Sequence, residues 1–392
     1  MKQKYPKLLG VCIHHGFSPE SRVFAGLLKH RDNGYEPLVI YNCWKGHDQG
    51  IDKFRNMSQA EVIGIDTGWR PNDGSRYPLD RMHTVVNILR SWSKMLKIAN
   101  EFHPDVIYSC QQTWDNLTAT YLSRKLSLPQ IIHLHYLPGY GGSWIGKFAE
   151  KQLKECNHVI TVSDFVREQA IGYGVTPDRV TTVHNTIEVS QSYDESNRKK
   201  IREELSIPRD ALVLGITARL EPWKGQSDTI RAFGRIANEF PNAFLIIVGN
   251  GIILPDLQKQ AKDTGYTERI IFTGFRTDVP KILAALDVFV HPSRLEPAGL
   301  AIMEACASGL PVIAYEEGGV CEYVVNGKTG LLTCPNDISL LADSMKTLLS
   351  NPYLRKIMGE AGRSRMESYF KPEDSGTKFK DLISSILYKY IK

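Results

Sequence analysis

The chain has 392 residues, is 42% hydrophobic and carries a formal net charge of +5. That length exceeds one ordinary domain and the apolar content suffices for two cores, which excludes a disordered chain or a single small module. The charge is too mild to demand a polyanion, no nucleic-acid module is recognisable, and no apolar run is long enough to span a bilayer, so nucleic acid is not an expected partner and membrane contact is at most peripheral.

From the start, MKQKYPK leads into the apolar run KLLGVCIH without a signal-peptide core. The expected location is therefore cytoplasmic, or peripheral to the inner face of the membrane. The runs PLVIYN, EVIGID, DVIYSC, QIIHLH, HVITVS and VTTVHN follow, separated by helical stretches. A polar, charged segment, SQSYDESNRKK (190–200), reads as the linker. Beyond it come LVLGIT, FLIIVG, RIIFTG, VFVHPS, PVIAY and TGLLT. Repeated β-α alternation means a parallel sheet covered by helices, and two successive sets predict an α/β chain of two Rossmann-like domains, 1–189 and 190–371. Within the first set, Met82 to Phe102 shows helical apolar spacing with Arg90, Lys94 and Lys97 interleaved; contact with anionic lipid is one reading, and a core-packed helix with a solvated basic face is the stronger one. Seven scattered cysteines, mostly in apolar elements, look like small core residues of a reducing compartment.

Candidate site residues lie after strands. Gly16, Phe17 and Ser18 occupy the loop after the first. His133 and His135 end the run QIIHLH, where alternation puts both on one face. They would hold a metal only with further ligands, and none can be located; there is also no Asp-x-Asp pair of the kind that holds a cation on a diphosphate, so the metal expectation is none. LVLGIT reads as a buried strand and Ser227 as the cap of the next helix, which places Arg219 and Lys224 on a strand-to-helix loop, the usual ligand side of an open α/β sheet. Glu296-Pro297-Ala298-Gly299-Leu300 then predicts a short buried helix opening at Pro297 and ending by Gly309 and Pro311. Its free N–H groups at Ala298, Gly299 and Leu300 suit a phosphate, and Gly299 allows close approach. On such a helix the eight-residue spacing of Glu296 and Glu304 corresponds to about 12 Å of rise and roughly 80° of rotation, too far to share one reacting atom. The pair would instead flank a nucleotide-sugar, Glu296 on hexose hydroxyls and Glu304 on ribose. Ser293-x-x-Glu296 also reads as a capping box, and Glu304, set among Ala, Ile, Met and Cys, needs a partner. Val248-Gly249-Asn250-Gly251 lacks the third glycine of a dinucleotide fingerprint, which makes a nicotinamide dehydrogenase a poor rival.

HPSRLEPAGLAIMEACASGLPVIAYEEGG (291–319) resembles the Glu-x7-Glu signature of the retaining glycosyltransferases of family 4, which have the GT-B fold. ITARLEPWKGQSDTIRAF, VGNG, FTGF, GGVCEYVVNGKTGLL, VITVSDFVREQAIGYGV and TVHNTIE are similar to further blocks of the family in the same order. The resemblance implies two Rossmann-like domains facing each other across a cleft, an acceptor domain first and a donor domain second, with the last helix (372–392) crossing back to the first. It implies that Arg219 and Lys224 hold the donor diphosphate, that Phe275 and Arg276 meet the base, and that His135 faces the donor sugar. Gly16, Phe17 and Ser18 correspond to the family's phosphate and acceptor loop, with one glycine where many members have two. Asn185-Thr186 stands where Asn-Gly is usual at the end of the first domain. The implied activity is transfer of a hexose or N-acetylhexosamine, with retention and without metal or other cofactor, from a nucleotide-diphosphate sugar, UDP by family habit, to a small-molecule, glycan or lipid-linked acceptor. A nucleotide-sugar epimerase or hydrolase of the same fold, or a non-catalytic nucleotide-sugar-binding protein, are the alternatives.

Overall fold

The computed structural model describes residues 5–13, 17–32, 34–44, 49–68, 78–110, 113–139, 144–189 and 195–391, without the side chains of 78–85 and 391. The chain divides into two compact units, Met1–Asn185 with Pro372–Lys392, and Thr186–Lys371.

In the first unit, β1 (Lys7–Cys12), β2 (Glu36–Asn42), β3 (Glu61–Ile65), β4 (Val106–Ser109), β5 (Gln130–Leu134), β6 (His158–Thr161) and β7 (Val180–Thr182) form one parallel sheet. Their order is β3-β2-β1-β4-β5-β6-β7. Because strand side chains alternate, Leu8 and Cys12 join one core with Phe24, Leu28 and Tyr108, while Leu9, Val11 and Ile13 join another with Ile88, Met95 and Ala99. Helices cover both faces, which is why these strands are apolar on both sides. The final helix, Pro372–Ile391, contributes Phe379, Ile383 and Ile386 to the first of these cores. The helix Pro78–Phe102 packs as its spacing predicts, burying Ile88, Met95 and Ala99 and exposing Arg90, Lys94 and Lys97.

The second unit holds β8 (Leu212–Thr217), β9 (Ala243–Val248), β10 (Ile270–Gly274), β11 (Val288–His291), β12 (Val312–Tyr315) and β13 (Gly330–Thr333). They are parallel, in the order β10-β9-β8-β11-β12-β13. The order reverses between β8 and β11, as it does between β1 and β4 in the first sheet, and open α/β sheets bind ligands outside the carboxyl ends of such strands.

One expectation needs correction. The segment read as a linker contains the start of a helix, Glu195–Glu204. Its Arg202 is buried, donating to the carbonyls of Ala285, Arg209 and Ala211 and pairing with Asp287 at 2.9 Å, while Arg198 pairs with the same carboxylate at 2.7 Å. Charge that looks solvated in sequence here satisfies buried carbonyls of the second unit.

Candidate active site

Three loops meet at the carboxyl ends of β8, β11 and β12. After β8, a tight turn over Pro222–Lys224 ends in Gly225, whose φ of 78° is left-handed. A Cβ there would lie 2.1 Å from the carbonyl oxygen of Pro292, so the two loops are in direct backbone contact. Arg294 N donates to Trp223 O at 2.8 Å and fixes the same contact. After β11 the chain turns through Leu295, which takes φ 49°, an uncommon value for a branched residue. On the third side, Gly319 N donates to Glu296 O at 2.8 Å.

Glu296 is thereby turned inward. Its Oε2 accepts from Lys224 Nζ at 2.7 Å and from Ser293 Oγ at 2.9 Å, and lies 3.3 Å from His291 Nε2. Burial on its own would raise this carboxyl. The Lys224 ammonium and the His291 contact outweigh it and hold the group well below the usual carboxylate range. The carboxylate is therefore ionised at neutral pH, and its hydrogen bonds concentrate on one oxygen.

Several expectations change here. The helix is Leu300–Ala307, not one that opens at Pro297, and Gly299 is its N-cap with φ 75°. Proline suits a first helical position, but the left-handed turn at Gly299 prevents continuation back to Pro297. Glu296 thus precedes the helix, and the two carboxylates do not share a helix face. Ile302 and Met303 donate to Gly299 O at 2.9 and 3.1 Å, which leaves Leu300 and Ala301 as the first-turn donors without an intrahelical acceptor. Ala298 lies in the preceding bend and is buried. Ser293 forms no capping box: its hydroxyl donates to the Glu296 side chain instead of accepting from the backbone. Ser227 lies inside the helix Gln226–Ile236, whose N-cap is Gly225.

The remaining residues of this unit are distributed around that centre. Arg219 does not reach Glu296. Its guanidinium is exposed and pairs with Glu221 at 2.9 Å, while its carbonyl accepts from Gln226 Nε2 at 2.9 Å. Glu304 is half-buried in the helix that follows Gly299. The Phe275 ring is 75% exposed. Arg276 is held by Asp278 at 2.8 and 2.9 Å and by Glu204, and these carboxylates strengthen its hold on its proton. Sequence reasoning passed over His291, although a histidine closing the apolar run VFVH signals a polar group with a partner, and gave Ser293 only a capping role. It also passed over Asp228, a buried acid that accepts from Tyr315 Oη at 2.7 Å and lies 3.6 Å from Arg294 Nη2. Asp228 so ties the helix after β8 to β12 and to the loop that carries Glu296.

In the first unit, Gly16 lies outside the described residues. Phe17 packs partly against the core, and Ser18 caps the helix Pro19–Lys29: its Oγ accepts from Ser21 N at 3.2 Å while Ser21 Oγ accepts from Ser18 N at 2.7 Å. The Ser18 hydroxyl is thus engaged in local structure. At the end of β5, His133 Nδ1 is 2.6 Å from Tyr108 Oη, and the His133 and His135 rings are 4.1 Å apart. Both Nε2 atoms are buried without a hydrogen-bond partner among the described residues. Burial brings His135 down to about 4, against a smaller opposing pull from Glu20, so its ring is neutral at pH 7. Neither ring belongs to a cluster of three potential metal ligands among the described residues. In this unit such a cluster is formed by Cys12, Cys110 and Asp115, where the sulfurs are 3.5 Å apart and burial raises both thiols above their ordinary range.

The His135 shift has a sign that unfolding can read. The unfolded chain takes up the proton near pH 6.5 and the folded chain only near 4, so this contribution is complete above 6.5 and is lost as pH falls between them. Urea unfolding at pH 7.5 and 4.5 is expected to differ by about 2 to 3 kcal/mol more in the wild type than in His135→Phe.

Two family models match the chain in tandem, Glycosyltransferase Family 4 over residues 30–191 and Glycosyl transferases group 1 over residues 197–365. A GDP-mannose-dependent phosphatidylinositol monomannoside mannosyltransferase of Mycolicibacterium smegmatis is 34% identical over 200 residues, 49% of this chain and 52% of its own, so the match spans about half of each protein. A sulfoquinovosyl transferase of Arabidopsis thaliana is 28% identical across 85% of this chain and 69% of its own. The crystal structure of HepE from Anabaena, in complex with UDP and glucose, superposes with a TM-score of 0.80 at 23% identity, covering 97% of this chain and all of that one. Two parallel Rossmann-like sheets, a Glu-x7-Glu segment at the switch point of the second and two family models in series lead to one assignment: the chain is a glycosyltransferase of family 4, the group 1 glycosyltransferases of GT-B fold.

Proposed function

We propose that this enzyme is a retaining, metal-independent transferase that moves a hexose or N-acetylhexosamine from a nucleotide-diphosphate sugar, with UDP favoured, to an acceptor hydroxyl. The observation that carries the reading is the part-buried Lys224–Glu296 pair beside a helix N-terminus at the switch point of the second sheet. The donor diphosphate is assigned to Lys224, to Arg219 and to the N–H groups from Ala298 through Gly299 to Leu300, where the helix dipole adds positive charge. Glu296 Oε2 is occupied by its three partners, so Oε1 is the acceptor for a hexose hydroxyl. Glu304 takes the ribose hydroxyls, and the exposed Phe275 ring and the Arg276 backbone border the base. In the first unit, the neutral imidazole of His135 is assigned to a hydroxyl of the donor sugar, and the unit as a whole to a small-molecule, glycan or lipid-linked acceptor.

In this scheme the bond from the anomeric carbon to the diphosphate oxygen breaks first, giving an oxocarbenium-like ion pair. The acceptor oxygen attacks from the same face and its proton passes to the departing diphosphate, so configuration is kept without an enzyme nucleophile. The growing negative charge is met by Lys224, Arg219 and backbone donors already in place, which is where such a site lowers the barrier. UDP is favoured because HepE, similar in fold, was crystallised with it, whereas the mannosyltransferase is named for GDP-mannose.

The ribose assignment gives a direct test. Loss of a hydrogen bond to a charged group costs about 1.5 to 3 kcal/mol, so Glu304→Ala should weaken UDP binding by tenfold or more in calorimetry while leaving inorganic pyrophosphate unaffected. Equal losses for both ligands, or none for UDP, would remove Glu304 from the site.

A further inference from the structure

The outer surface of the helical layer Pro78–Phe102, Trp114–Leu126 and Trp144–Glu155 reverses the usual pattern of a solvated face. In Trp144–Glu155 the buried positions include Glu150 and Gln152, while Trp144 is 78% and Phe148 51% exposed. Lys147 and Lys151 are exposed between and beyond them, at the three- and four-residue spacing that puts all four side chains on one stripe. Exposing two large aromatic side chains on one stripe is unfavourable in water, unless that face has another environment.

The pattern continues across the layer. Helix Pro78–Phe102 lies on the same face of the sheet, since its Ile88 and Met95 and the Ile145 of the other helix pack on one core. It exposes Leu89 (46%), Arg90 and Lys94. Acidic charge does not offset these cations. Glu150 is buried, Glu155 pairs with Arg124 at 2.7 Å, and Glu101 lies 3.8 Å from Lys97.

We propose that this face docks on the surface of an anionic lipid bilayer. Charge complementarity selects that occupant: aromatic rings seat at the headgroup level while lysines reach the phosphates. A second copy of the chain is a poorer fit, because a two-fold contact would set the same lysines against each other. No helix among the described residues is long and apolar enough to cross the membrane, so the contact is peripheral. The inference is independent of the donor-site reading and stands or falls separately from it.

Cosedimentation of the full chain with vesicles tests it. Wild type is expected to bind vesicles of phosphatidylcholine mixed with phosphatidylglycerol, more weakly as salt rises, and not vesicles of phosphatidylcholine alone. Each lysine near an anionic surface is worth about fivefold, so Lys147→Ala with Lys151→Ala should reduce partitioning by about 25-fold. Trp144→Ala with Phe148→Ala should reduce it by about tenfold or more. Because all four side chains are exposed, both variants should keep the wild-type melting temperature and UDP affinity. Equal binding to both vesicle types, no binding to either, or unchanged partitioning of the variants would overturn the proposal. So would a concentration-dependent dimer that Trp144→Ala with Phe148→Ala abolishes, which would assign the face to self-association.

Discussion

Lys224→Ala should lower turnover, read as release of the nucleoside diphosphate, by two to three decades, equivalent to about 3 to 4 kcal/mol of lost transition-state stabilisation. In the proposed scheme charge develops on the departing diphosphate, and Lys224 is the cation that the loops after β8 and β11 hold in a fixed position. The same substitution leaves the Glu296 carboxylate enclosed with only Ser293 and His291 as partners. Breaking a buried pair from one side costs about 3 to 5 kcal/mol, and the residual exposure of these two side chains puts this case near the lower end. Activity and stability can be separated by a second variant. Lys224→Met combined with Glu296→Gln removes both charges, so much of the folding stability should return while turnover stays low. Chemical denaturation alongside single-turnover kinetics reads both quantities. Near-native turnover in Lys224→Ala with the donor bound normally would show that the lysine does not serve the leaving group.

Gly225→Ala should be almost as damaging, although it removes no functional group. The position has φ 78°, where a side chain costs about 1 to 2 kcal/mol, and the added methyl would meet the Pro292 carbonyl oxygen at 2.1 Å. A shift of either backbone would move a loop that carries Lys224 or Glu296. A loss of about 3 kcal/mol or more in stability is expected, with a parallel fall in affinity for the nucleoside diphosphate. Gly309→Ala is the control. It has a similar φ of 73° but open space around the added methyl, so it should cost only about 1 kcal/mol and leave the ligand affinity unchanged. If the two substitutions behaved alike, contact between the loops would not be what positions the lysine.

Different parts of this molecule were legible in the sequence to different degrees. The thirteen strands among the described residues coincide with thirteen apolar runs because parallel strands covered on both faces must be apolar throughout, and that requirement is local. Lys224 and Glu296 could each be chosen from a short segment. Their direct pairing could not, since 72 residues separate them and only the strand order β8-β11 brings their loops together. The helix start was misplaced because Pro297 carries a strong local preference for a first helical position, whereas the chain takes a left-handed turn at Gly299 and the helix begins after it. Ser293 and Ser227 were misread for a related reason: a serine near a helix start is a cap by propensity, but Glu296 claims one and Gly225 replaces the other. Arg202 shows the same limit in reverse, because a charged run does not reveal which buried carbonyls it will satisfy.

The most direct test of a metal-independent donor site on the second unit is calorimetry of UDP, GDP and ADP with wild type and Lys224→Ala in EDTA. The expected result is clear binding of one nucleoside diphosphate to wild type without any divalent ion, and at least tenfold weaker binding to the variant. Binding that appears only when magnesium or manganese is restored, or no binding of any of the three, would contradict it.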